Sequence, residues 1–143
     1  MSAWVVDASV AAKWMLPTSG EDLVEFAVEL LDGYVGGDFD LIVPDLFWAE
    51  CGSILWKAVR AKRCSPEDAE KALDRVHAYG FATVSSAKLI RRAFSIAIKF
   101  DRTVYDSLYV ALATEYGIQL VTADEKLVKA VESRCPVRWL GSL

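Results

Sequence analysis

Trp4-Val5-Val6-Asp7-Ala8-Ser9 is an apolar run that stops on an acid and turns at once into helix-compatible residues. It reads as a strand-to-helix junction. Aromatic and β-branched residues suit a buried extended segment, and an Asp just beyond one can cap the helix that follows. Working outward, Leu41-Ile42-Val43, closed by Pro44, predicts a second buried strand. Phe81-Ala82-Thr83-Val84 predicts a third, Leu120-Val121 a fourth and Val137-Arg138-Trp139-Leu140 a last one.

Helical patterns fill the intervals. A short helix follows Asp7 and must stop near Pro17. Ser19 or Gly20 opens a second, with Leu23, Phe26, Ala27, Leu30 and Leu31 at helical spacing, ended by Gly33, Gly36 and Gly37. Asp45 is a good N-cap for a long helix through about Ala61. Ser65-Pro66-Glu67-Asp68 starts another, with Pro at its first position, running to about Tyr79 before Gly80. Further helices are expected from about Ala87 to Lys99, from about Val104 to Tyr116 with Gly117 as C-terminal cap, and from Asp124 to Val131. Apolar strands alternating with helices predict an α/β fold in three layers: a parallel sheet of about four to five strands covered on both faces. No linker, repeat or low-complexity stretch divides residues 1–143, so one domain is expected.

Composition narrows the chemistry. The 143 residues are 54% apolar, which excludes a disordered chain. No apolar run approaches the roughly 18 residues of a membrane span, and the N-terminus lacks a signal peptide pattern. Cys51, Cys64 and Cys135 form no C-x-x-C pair and suit reduced thiols, so a cytoplasmic location is expected. His77 is the one histidine, which removes paired-His acid/base chemistry and His-cluster metal sites. Asparagine is absent, and no phosphate-binding glycine loop or G-x-S-x-G elbow occurs. Carboxylates are left as the natural carriers of any catalysis.

The net charge of −4 hides an uneven distribution. Residues 1–56 hold ten acids and one base, whereas residues 57–102 hold eleven bases and five acids. An overall acidic chain with a basic middle third can still attract a polyanion. Solvated helix faces explain most of those bases more simply.

Four acids stand out. Asp7 and Asp124 each sit where a strand hands over to a helix, and Asp106 lies three residues after Thr103 at a helix start. Taken singly, each is simply read as a cap, with Thr122 and Glu125 framing Asp124 as a capping box. Glu50 is different: it falls mid-helix in a stripe with Phe47, Ile54 and Ala58. An acid in an apolar stripe costs several kcal/mol unless its charge is compensated. Asp106 heads a helix that is apolar on nearly every side, Val104-Tyr105-Asp106-Ser107-Leu108-Tyr109-Val110-Ala111-Leu112-Ala113.

In an open parallel sheet, the carboxyl ends of the strands and the following helix N-termini open into one crevice. Asp7, Glu50, Asp106 and Asp124 are expected to converge there. At about 4 Å and an effective dielectric near 20, each ionised pair would cost about 4 kcal/mol. A hard divalent cation on oxygen ligands, Mg²⁺ or Mn²⁺, is the usual remedy. Such an ion activates water and stabilises a phosphoryl transition state, so the chemistry implied is metal-assisted phosphodiester hydrolysis.

The ordered motifs Val5-Val6-Asp7-Ala8-Ser9, Pro44-Asp45-Leu46-Phe47-Trp48-Ala49-Glu50, Tyr105-Asp106-Ser107-Leu108-Tyr109-Val110-Ala111-Leu112-Ala113 and Val121-Thr122-Ala123-Asp124 resemble PIN-domain ribonucleases. Among these the chain looks like the VapC-type toxins of prokaryotic toxin–antitoxin pairs, over essentially its whole length. Ser107 stands where the family more often has alanine. The resemblance implies a PIN-like fold and a Mg²⁺- or Mn²⁺-dependent endoribonuclease. It implies Asp7, Asp106 and Asp124 as metal ligands, with Glu50 on a second ion or orienting the attacking water. Ser9 and Thr122 would fix the carboxylates from behind. It also implies an RNA substrate, a homodimer, and a small cognate antitoxin that occludes the acidic site, often with an arginine. Trp48, Leu55, Trp56 and Val59 form a second apolar stripe, either buried or a docking face. Lys13 and Arg102 are candidate phosphate contacts, while Asp45 and Asp101 are more simply caps.

Other classes remain open at this point. A PIN-like DNA nuclease would use the same crevice, although the chain has no room for a strand-threading arch. A catalytically silent PIN-like binding module would not need all four acids. A receiver-type domain wants adjacent acids after the first strand and a late lysine, and Asp7 and Val121-Thr122-Ala123 supply neither. A D-x-D phosphatase would need an acid where Ser9 stands.

Overall fold

The computed structural model describes residues 2–143. Its strands are β1 (Ala3–Val6), β2 (Asp40–Pro44), β3 (Ala82–Val84), β4 (Gln119–Thr122) and β5 (Val137–Trp139). They form one sheet in the order β3-β2-β1-β4-β5, with every neighbouring pair parallel. Val5 stands opposite Ile42 on one side and Leu120 on the other. Successive side chains of a strand point to opposite faces, and Val5 and Val6 are both fully buried. Both faces of β1 are therefore covered, which is why its sequence is apolar without alternation.

Seven α-helices occur among the described residues: α1 (Ala8–Met15), α2 (Val24–Val35), α3 (Leu46–Arg60), α4 (Pro66–Ala78), α5 (Ser86–Phe100), α6 (Val104–Tyr116) and α7 (Glu125–Val131). α6 packs on β1, β2 and β4, with α5 along its flank, while α1 contacts α2, α3 and α4. Every residue of α6 from Ser107 to Ala113 is buried. A helix apolar all round needs such a central position. Phe81 gathers a second cluster, with the rings of Trp14, Tyr34, Phe47, Trp48 and Tyr79 around it at centroid distances of 5.0–6.1 Å. No helix among the described residues is long and apolar enough to cross a membrane. Cys51, Cys64 and Cys135 are free, and burial pushes the Cys51 thiol up to about 12.

Three local expectations need correction. α2 does not open at Ser19 or Gly20. Thr18–Gly20 forms a single 3₁₀ turn, Lys13 holds Glu21 and Asp22 by ion pairs, and the helix begins only after Leu23 turns left-handed (φ 56°). Asp45 does not cap α3 with its side chain; its carboxylate accepts from the Ser86 hydroxyl, tying α3 to α5. The buried stripe of α3 is Phe47, Cys51, Leu55 and Ala58, which leaves Glu50 and Ile54 half-buried on its edge. Of the second stripe, Leu55 is buried, Trp48 stacks on Phe81, and only Trp56 is largely exposed.

Candidate active site

The sheet changes direction of growth between β1 and β4: the strands after β1 fill one side, then the chain returns to the other. At such a switch point the two adjoining loops part and leave a crevice at the strands' carboxyl ends. Asp7 follows β1 directly and Asp124 lies two residues beyond β4. A cleft of about 510 Å³ opens here, and Asp7, Glu50, Asp106 and Asp124 all line it. Glu50 enters from the second turn of α3, Asp106 from the first turn of α6.

Asp7 is the most constrained of the four. Ser9 donates to its Oδ1 from both backbone N–H (3.1 Å) and hydroxyl (2.5 Å), and the Thr122 hydroxyl donates to Oδ2 (2.5 Å). Each hydroxyl in turn accepts from a backbone N–H of the β4–α7 loop. Ala123 donates to Ser9 Oγ at 2.9 Å and Asp124 to Thr122 Oγ1 at 3.1 Å. Two parallel relays thus lock the start of α1 to the loop after β4. Ser9 and Thr122 thus hold the Asp7 carboxylate from both of its oxygens. Burial nevertheless wins over these bonds and pushes the Asp7 carboxyl up to about 6, with the charge of Asp106 adding to the rise.

Glu50 Oε1 accepts from the Tyr109 hydroxyl at 2.5 Å. Burial raises its carboxyl pKa, the Tyr109 bond lowers it and the charge of Asp106 raises it again. Asp106 is raised by burial and then by Asp124, against the lowering effects of Thr103 and the nearby Arg102. Asp124 caps α7, its Oδ1 accepting from Lys126 and Leu127 N–H, so the expected capping box of Thr122 and Glu125 is not formed. The acids therefore act on one another through space, and among the described residues none of the four makes an ion pair with a base.

No three of these side chains, among the described residues, are gathered closely enough to enclose an ion as they stand. In their present state both Asp7 oxygens accept from hydroxyls, and Asp124 and Glu50 each commit one oxygen to a donor. The donor set still fits a hard divalent cation. It is made only of carboxylate oxygens, and the burial that raises Asp7, Glu50 and Asp106, with a smaller contribution from their mutual repulsion, penalises negative charge that a cation offsets.

The structure does not bring Lys13 to this cleft. Lys13 is buried, and its ammonium pairs with Asp22 at 2.9 Å and Glu21 at 3.4 Å, so it serves the α1–α2 junction. Arg102 is felt by Asp106 but donates from Nε to the Asp101 carbonyl at 2.8 Å and does not line the cleft. Sequence reasoning missed Tyr109 as the donor to Glu50. The available signal was its position three residues after Asp106, on the same face of α6. It also missed Lys57, which lines the cleft two turns beyond Glu50 on α3.

A family model described as "PIN domain" matches residues 4–132. The chain is 32% identical to Ribonuclease VapC3 of Pyrobaculum aerophilum over 127 residues, covering 87% of this chain and 92% of that protein. The crystal structure of PAE2754 from the same organism superposes with a TM-score of 0.73 at 21% identity, covering 99% of this chain and 85% of that one. A toxin–antitoxin complex from Klebsiella pneumoniae contains a chain that superposes with a TM-score of 0.58 at 14% identity, with 94% of each chain covered.

Proposed function

The chain belongs to the VapC-type ribonucleases of the PIN-domain family, and from that premise we propose that residues 1–143 form one nuclease domain that hydrolyses RNA internally as the toxin of a toxin–antitoxin pair. The observation that carries this reading is the convergence of Asp7, Glu50, Asp106 and Asp124, from four separate segments, on one cleft at the sheet's switch point. Asp7, Asp106 and Asp124 would hold Mg²⁺ or Mn²⁺, with Glu50 facing the attacking water or a second ion. When bound there, the ion supplies a lowered water pKa and positive charge beside the phosphate. Asp7 is kept in place by Ser9 and Thr122, so its orientation costs little at the moment of reaction. Glu50, anchored through Oε1 by Tyr109, has Oε2 available to take the proton of the water. Its raised carboxyl pKa brings it nearer to the working pH of a general base.

The partners follow from surface and charge. An acidic cleft suits occlusion by a cationic side chain of a small antitoxin acting in the cytoplasm. The outer face of α5 exposes Ile90, Phe94 and Ile98 at 47%, 59% and 71%, one stripe at i, i+4 and i+8. A second copy of the chain would cover it.

The purified chain should cut RNA with Mg²⁺ or Mn²⁺, and Asp7→Asn or Asp106→Asn should each abolish cleavage. Undiminished cleavage in EDTA overturns the metal-assisted mechanism. Growth arrest on expression without an antitoxin should likewise vanish with Asp7→Asn.

A further inference from the structure

We infer that Lys57 and Tyr105 form a nucleotide-binding subsite beside the four acids, Lys57 gripping a backbone phosphate and Tyr105 stacking on an unpaired base. This inference rests on the ribonuclease reading and adds to it where the RNA strand lies and in what state. Among the described residues, Lys57 is the one base in the lining of the cleft. It is exposed and, among the described residues, has no ion-pair partner. It follows Glu50 by seven residues on α3, so the two share a face, roughly 10 Å apart along the axis at 1.5 Å per residue. Ser53 and Ile54 line the cleft between them. A cation at that end is useless to the acids and well placed for a phosphate flanking the one that reacts.

Tyr105 directly precedes Asp106 in the first turn of α6, and the residue is 62% exposed while lining the same cleft. No hydrogen bond occupies its hydroxyl among the described residues. Exposing a large aromatic ring is unfavourable unless something covers it, and every base offers a flat π-face. A base inside a duplex is already stacked on both sides and presents only its edge, so this arrangement selects unpaired or looped RNA.

The experiment measures binding of a short labelled single-stranded RNA, and of the same strand annealed to its complement, to the Asp7→Asn chain, which does not turn it over. Tyr105→Ala should weaken single-strand binding about ten-fold, with Tyr105→Phe restoring it. Lys57→Ala should lower the slope of log affinity against log salt by about 0.7, with Lys57→Arg restoring it. Thermal melts confirm that each variant is folded. If both alanine variants bind like the parent while the unmutated chain still cuts RNA, the subsite is overturned and the ribonuclease reading stands. Duplex bound as tightly as single strand also overturns it, as does a Tyr105→Ala variant that changes only oligomeric state. If the unmutated chain neither binds nor cuts any RNA, the ribonuclease reading itself fails.

Discussion

Asp7 is the residue at which function and stability pull apart. Its folded-state carboxyl titrates near 6, above its ordinary 3.8, because it is buried. A group raised on folding contributes stability that is fully present below its unfolded pKa and is lost as pH rises through the folded one. The metal-free chain should therefore lose about 3 kcal/mol from this group between pH 4 and pH 7. Asp7→Asn, for which loss of cleavage is predicted, should melt at a higher temperature than the parent at pH 7.5 without metal, with the difference vanishing near pH 4. Calorimetry at the two pH values checks this. Glu50 gives a second test. The Tyr109 hydroxyl holds its pKa down, so Tyr109→Phe should move the acid limb of the cleavage profile to higher pH. A profile that only falls in height would assign Tyr109 a purely packing role. Asp7, Glu50, Asp106 and Asp124 were legible in the sequence because each sat at a strand end, a helix start or an apolar stripe. Tyr109 was legible only as a neighbour of Asp106 on one face of α6; that its hydroxyl meets Glu50 is set by the packing of α6 against α3.

At the scale of the element, α6 carries the most constraint. It runs from the Thr103 cap, whose hydroxyl accepts from Asp106 N–H at 3.0 Å, to Gly117 in the left-handed region, φ 64°. Both ends were readable, since Thr and Gly are the residues those positions demand. Within it the Ser107 hydroxyl is fully buried and, among the described residues, has no hydrogen-bond partner. An unsatisfied buried hydroxyl costs about 1–3 kcal/mol, so Ser107→Ala should raise stability by about 1 kcal/mol in denaturant titration, with cleavage retained. The start of α2 was not legible for a contrasting reason. Ser19 and Gly20 are good openers locally, but the ion pairs from Lys13 across Pro17 to Glu21 and Asp22 hold that stretch outside the helix. Propensity is a weak prior against a buried charge that needs its partners.

At the scale of the whole molecule, the apolar stripe on α5 and the acidic cleft are separate surfaces that share no residue. Phe94→Asp should convert a dimer to a monomer in light scattering while leaving the cleft's residues in place. The alternation of strands and helices announced a parallel sheet, but strand order was beyond reach of the sequence, because pairing is set by which faces each helix can cover. The basic middle third illustrates the same limit. Of its eleven bases Lys57 alone lines the cleft, while Arg92 pairs with Glu115 and Arg63 with Glu21.

The pairing of β1 with β4 joins residues more than a hundred positions apart, Val6 beside Val121. Asp7 leaves the ribosome early; Thr122 and Asp124, which complete its surroundings, leave late. A loop of that length closes slowly and only once both ends exist. The four carboxylates therefore cannot meet until the chain through Asp124 has been made and β4 has docked on β1. A chain cut before β4 lacks Thr122 and Asp124, so it should show no RNA cleavage.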